Sequence, residues 1–218
     1  MLLGQVDALS AKIDDLTACI GEHIDNIPAA AAPHIDNRDV DDLNVDDPNA
    51  DPATVPLSVV ARLDEIAGIG VHAAQVIIAE VGLDMAQFPT AAHLVSWTKL
   101  SPRTIQSGPR SRSGKTGKGN PYLKGVLGEA ATGAAKTDTF LGERYRRLVR
   151  RRGKQRALVA VSRSILVIVW HLLNDPDARF VDLGSDDYTK RLDPNRKTCD
   201  LVRQLQTFGH DVTLTPAA

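Results

Sequence analysis

Cysteine is almost missing from this 218-residue chain: Cys19 and Cys199 are the only two. They lie far apart, form no metal-ligand spacing and exclude a disulfide framework, so a reduced, cytoplasmic setting is expected. Aromatic residues make up only 4%; Ala, Leu and Val carry the apolar content, which favours helices over sheets. The six histidines are scattered, no metal constellation forms, and no Ser-His-Asp order can be read. The N-terminus lacks a basic n-region and the signal-peptide pattern. The most apolar run, Ala157 to Leu173, is broken by Ser162, Arg163 and Ser164. It is too short and polar for a comfortable membrane span and is expected to be a buried helix, with no membrane partner.

A net charge of −1 conceals two opposed halves. Met1 to Val60 holds 12 acidic against 2 basic residues, a net of −10; Ser101 to Arg163 holds 16 basic against 3 acidic, a net of +13. The basic half is the electrostatic footprint of a nucleic-acid binder.

Leu2, Val6, Leu9, Ile13, Leu16, Ile20 and Ile27 step by four, three, four, three, four and seven, with His23 at the skipped position. That heptad seam predicts a coiled-coil helix over 1–28 that pairs with another copy through residues 2–27. An amphipathic helix lying on its own domain is the alternative. Residues 29–56 combine Pro, Ala and acidic residues with few large apolar ones and read as a disordered acidic linker. A helical domain is expected over 57–175 and a tail with one helix over 176–218.

Leu63 to Gly82, LDEIAGIGVHAAQVIIAEVG, predicts helix, tight turn, helix. The pattern resembles a helix-hairpin-helix, in which Gly68, Ile69 and Gly70 let backbone amides approach a phosphate. A plain αα-hairpin explains the same residues. Thr90 is expected to cap a helix from Ala91, with Trp97 facing the core. The basic run ERYRRLVRRRGKQR, from Glu143 to Arg156, fits either a solvated face or a phosphate contact. The last residues, around Val212 and Leu214, alternate as a short strand would.

The centre of the chain is Ser101 to Ala131, a Ser/Gly/Lys/Arg loop that enters a helix through Asn120-Pro121. Such a loop suits a polyanion. SGKT at Ser113 to Thr116 is not a nucleotide-binding P-loop, because the first glycine should stand at Pro109 and no apolar strand precedes it. What remains is a serine among Arg103, Arg110, Arg112, Lys115 and Lys118. A serine can attack a phosphodiester where positive groups stabilise the developing charge. By composition Ser101, Ser107, Ser111 and Ser113 are equivalent, and all four can be ordinary loop formers.

The hairpin IAGIG with AAQVIIAEVG, then FPTAAHLVSW, LSPRTIQSG and GKTGKGNPYLKGVLGEAA, resembles the C-terminal transposase domain of the insertion-sequence 110/116/902 family. The resemblance implies a DNA transposase or recombinase in a bacterial cytoplasm, at the nucleoid. It implies a composite centre, in which a ribonuclease-H-like N-terminal domain binds divalent metal (Mg) through four acidic residues. The C-terminal domain supplies a serine that becomes linked to DNA. That serine aligns with Ser107, beside Gly108. It further implies a guide non-coding RNA and a coiled-coil connector. The chain is thus expected to be an all-α, helix-hairpin-helix-containing domain preceded by a long coiled-coil-like helix. It is expected to bind no cofactor by itself and to be inactive without the metal-binding domain. A non-catalytic DNA-binding or assembly fragment is the alternative.

Overall fold

Ala157, Val161, Ser162, Ile165, Leu166, Val169 and Leu172 recur at one-, three- and four-residue steps, and all are buried. They define the inward stripe of a 21-residue helix around which the other helices pack. The computed structural model describes residues 2–31, 57–101, 103–191 and 193–215. Its elements are α1 (Leu2–Asp25), α2 (Val59–Asp64), α3 (Val71–Val81), α4 (Ala91–Trp97), β1 (Thr104–Ser107), β2 (Arg110–Ser113), α5 (Pro121–Ala134), α6 (Phe140–Arg152), α7 (Lys154–Asn174), α8 (Asp187–Lys190) and α9 (Pro194–Thr207). The fold is helical, as the sequence predicts, with one small hairpin that the sequence does not announce. Most of the acidic linker, residues 32–56, lies outside the described residues.

Helix α7 has the length and mean hydropathy, 1.7, of a membrane span. Its apolar side chains are instead the core of this fold, covered by α2, α4, α5 and α6. Leu123, Leu127, Ala130, Ala131 and Ala134 bring α5 against it, and the buried Ser162 hydroxyl donates to the Leu127 carbonyl at 3.0 Å. One residue, Gly153 with φ 81°, ends α6 and starts α7, so the two pack as a tight αα-hairpin. At the far end of α7 the buried Arg62 guanidinium donates to the Leu172, Asp175 and Ala178 carbonyls at 2.9, 2.9 and 3.3 Å. A cation there satisfies orphan carbonyls and the negative end of the helix dipole. Burial pulls its pKa down, while Asp175 and Asp177 oppose that shift.

Helix α1 has two apolar stripes. Thr17, Gly21 and Ile24 face the domain: Gln75 of α3 donates to the Thr17 carbonyl at 3.1 Å, and Ile24 is buried. The heptad seam lies elsewhere on the helix, with Val6, Leu9, Ile13, Leu16 and Ile20 45–63% exposed. Ala30 is buried and its carbonyl accepts from the Val59 N–H at 2.9 Å, which ties the end of this segment to α2.

After α7 the chain returns across the domain. Arg179 pairs with Glu65 in the α2–α3 turn, and the Phe180 N–H donates to the same carboxylate at 3.2 Å. Asp182 caps α6 through the Phe140 N–H at 3.0 Å. Two local expectations fail. Trp97 is 44% exposed against Phe88, because the short α4 turns Leu94, Val95 and Thr98 inward instead. Residues 210–215 form no strand.

Candidate nucleic-acid interface

The basic loop folds into an antiparallel hairpin, with Thr104 paired to Ser113, Ile105 to Arg112, Gln106 to Ser111 and Ser107 to Arg110. Gly108-Pro109 forms its two-residue turn. Gly108 has φ 57° and the proline ring fixes a negative φ, which is the sign pattern of a type II′ turn. Directly opposed residues of a ladder project to the same face, and neighbours along a strand project to opposite faces. Ser107, Arg110, Arg112 and Ile105 therefore share one face; Ser111 lies on the other with Gln106 and Thr104. Opposed Cβ atoms stand about 4.5–5.5 Å apart and diagonal ones about 7–8 Å. Register thus separates Ser107 from Ser111, which composition left equivalent: Ser107 shares its face with Arg110 and Arg112 and Ser111 does not. Ser107 is exposed, as are Gly108, Arg110 and Arg112.

After Gly114, at the foot of the hairpin, the chain lies on the end of α4 from Gly117 to Gly119, and all three glycines have packing reasons. A Cβ on Gly114 would meet the Arg103 carbonyl at 3.1 Å, one on Gly117 the Lys99 stem at 3.3 Å, and one on Gly119 the Thr98 carbonyl at 2.2 Å. Lys99 has φ 58°, and the bonds Lys99 N–H to Ser96 and Leu100 N–H to Val95, both 3.1 Å, make a Schellman end to α4. A lysine in that left-handed position costs about 1–2 kcal/mol and returns Leu100 to the core. Nothing local in the sequence signals it. Asn120 then caps α5, its side-chain oxygen accepting from Tyr122 and Leu123 at 3.0 and 3.2 Å, while its amide reaches Glu80 of α3. Lys124 is bonded to the Gly117 carbonyl at 2.8 Å. Arg103, Lys115 and Lys118 are exposed along this path, with Arg103 at the foot of the hairpin.

The Gly68-Ile69-Gly70 turn divides. Gly68, φ 91°, faces α5 so closely that a Cβ would fall 2.2 Å from the Ala130 carbonyl, and Ile69 is buried. Both serve the fold. Gly70 is open, with only Asp64 near at 4.0 Å, and it begins α3, whose first residues Val71 and His72 are exposed. Gly68 and Gly70 are both exposed and Ile69 is buried, but only Gly70 has open space where a Cβ would stand. Among the described residues no group of three or more His, Cys, Asp or Glu side chains can hold a metal ion.

Residues 60–146 match the family model described as Transposase IS116/IS110/IS902 family. That stretch runs from α2 through the hairpin into α6. A protein of Streptomyces coelicolor (strain ATCC BAA-471 / A3(2) / M145), named "Insertion element IS110 uncharacterized 43.6 kDa protein", is 35% identical over 123 residues. The match takes in 55% of this chain and 29% of the relative.

Proposed function

Residues 60–146 belong to the IS116/IS110/IS902 transposase family, and from that premise we propose that the chain acts in DNA transposition, with Ser107 as the nucleophile that joins protein to DNA. The observation that carries the reading is the register of the hairpin, which gives Ser107 two arginines on its own face at an exposed tip. The Ser107 oxygen attacks the phosphorus of a DNA phosphodiester. Its proton passes to a base from outside the hairpin. The bond from phosphorus to one deoxyribose oxygen breaks, and that oxygen leaves protonated. Attack on the phosphoserine ester by another strand's hydroxyl restores the serine. Arg110 and Arg112 stabilise the charge gathering on the phosphoryl oxygens. Gly70 and the first amides of α3, with Arg103, Lys115 and Lys118, hold flanking backbone.

The family's divalent metal would come from a separate acidic domain, so the chain by itself is expected to bind DNA without cutting it. The other proposed partners are a guide non-coding RNA and a second copy joined through residues 2–27, at the bacterial nucleoid. The exposed seam of α1 favours a second reading as well, a non-catalytic DNA-binding or assembly module.

The test is capture of a protein–DNA adduct on a denaturing gel, with the acidic domain and Mg²⁺ supplied and DNA bearing the element's ends as substrate. The wild-type chain should form the adduct and Ser107→Ala should not. An adduct that persists in Ser107→Ala removes the assignment. Salt-dependent binding with no adduct under any condition favours the assembly module.

A further inference from the structure

Outside the hairpin the densest positive charge lies on α6. Arg144, Arg147 and Arg151 stand at i, i+3 and i+7, hence on one helical face, over about 10 Å of axis. They line a groove of about 470 Å³ whose opposite wall carries Tyr188 and Arg191. Carboxylates are present here too, but they are paired with arginines other than these three. Glu143 and Asp138 each pair with Arg146 at 3.0 Å, and Asp187 pairs with Arg191 at 2.9 Å. Among the described residues Arg144 and Arg151 have no carboxylate in ion-pair range, and Arg147 lies over the Tyr188 ring. Partial desolvation, then repulsion from Arg163 and Arg147, pull the Arg144 guanidinium below its ordinary pKa although the residue borders solvent. Three like charges held on one face, one fixed by an aromatic ring, are poised for a polyanion rather than for water alone.

We propose that the α6 groove is a second contact for the phosphate backbone of duplex DNA, gripping one strand without reading bases. This rests on the reading that the chain acts on DNA. The three guanidiniums cover about three base-pair rises of 3.4 Å, and arginine contacts of this kind position a duplex rather than specify it. A single strand would need free aromatic faces for stacking, and the Tyr188 face is occupied by Arg147. Arg147, Arg151, Tyr188 and Arg191 all lie beyond residues 60–146, so the groove extends the interface past the family-matched stretch. Tyr188 acts as a positioning residue, holding Arg147 in place.

The experiment is fluorescence anisotropy of the 218-residue chain with a short labelled duplex of arbitrary sequence across a salt series. Replacing three phosphate contacts by Arg144→Gln, Arg147→Gln and Arg151→Gln together should flatten the slope of log affinity against log salt by about 2.7. At 0.1 M salt that corresponds to a loss approaching about 500-fold. The triple Lys variant should keep the slope. If the triple Gln variant loses its cooperative melt, Arg151→Gln alone decides, and its slope should flatten by about 0.9. A wild-type slope in a folded triple Gln variant overturns the proposal, as does a single strand that competes better than duplex. Arg110→Gln with Arg112→Gln separates the two readings. If that pair weakens binding and the α6 variant does not, the groove alone is wrong. If neither weakens it, the DNA reading fails with it.

Discussion

Gly68 and Gly70 stand two residues apart in one turn, yet their surroundings differ, and alanine at each should separate packing from the proposed phosphate contact. A Cβ on Gly68 would lie 2.2 Å from the Ala130 carbonyl and 2.8 Å from the Ala134 nitrogen. Both are backbone atoms of α5, fixed by helical hydrogen bonds and by the buried Leu127, Ala131 and Ala134. No side chain can swing aside, so the α2–α3 turn and α5 must separate. Overpacking of that kind costs about 1–3 kcal/mol. The backbone φ of 91° adds strain of about 1–3 kcal/mol for a residue with a side chain. Gly68→Ala should therefore lose about 2–6 kcal/mol, a fall in Tm of order 10 °C for a chain this long. Gly70 has φ −118° and its nearest neighbour at 4.0 Å. Alanine there gives up only a weak helix cap, below about 1 kcal/mol. Thermal melts followed by circular dichroism, paired with the DNA anisotropy assay, read both effects. Lost DNA affinity in Gly70→Ala at unchanged Tm marks the turn as a phosphate contact. A Gly68→Ala variant that melts with the wild type refutes the packing argument, because no other contact in the turn carries it.

Asn120→Ala should lower the urea midpoint by the equivalent of about 1–2 kcal/mol, since it orphans two α5 amides and releases Glu80; Asn120→Asp keeps the cap but sets a carboxylate against Glu80. Arg179, against a smaller desolvation, and then the Phe180 N–H hold the Glu65 carboxylate below its usual range. A depressed carboxylate stabilises above the unfolded pKa of about 4.3 and loses that contribution as pH falls through its lower folded value. The gap in urea midpoint between wild type and Glu65→Gln should thus be full at neutral pH, about 1–2 kcal/mol, and close below pH of about 4; a pH-independent gap contradicts it. Wild type should self-associate by sedimentation equilibrium and Ile13→Asp should not, because Leu9, Ile13 and Leu16 are 60–63% exposed; a wild-type monomer at high concentration contradicts the seam.

Helices were legible wherever one face is continuously apolar. Helix α7 begins at Lys154, three residues before the apolar run that starts at Ala157, and the tail carries the helix α9 over Pro194–Thr207. The hairpin was not legible, because Thr104 to Ser113 offers only Ile105 as a large apolar residue, so no alternation marks the strands. The packing role of the glycines was hidden for a different reason. GIG and GKTGKGN suggest cradled phosphate, but Gly68 and Gly119 answer to the Ala130 and Thr98 carbonyls, contacts distant in sequence that no local pattern encodes. Arg144, Arg147 and Arg151 were visible as a charge run. That Glu143, Asp138 and Asp187 neutralise other arginines and leave these three open follows only from the fold.

The same deficit that hid the hairpin defines what it can do. A two-stranded ribbon is marginal in water unless one face is covered. Here the described strand side chains are exposed on both faces, and the ladder rests on its turn and on the Gly114 N–H bond to Arg103. Burial therefore contributes almost nothing to its order. An exposed Gly-Pro turn flanked by Ser107 and Arg110, with Arg112 one step behind, has no intramolecular reason to carry positive charge. A polyanion laid along the Ser107 face would neutralise the arginines and cover Ile105, the one apolar side chain on that face. The α2–α3 turn shows the opposite economy: Gly68 is fixed by α5 and cannot move toward a ligand without unpacking the domain. On the proposed reading, adaptation to DNA resides in the hairpin, while the turn and the α6 face supply fixed points.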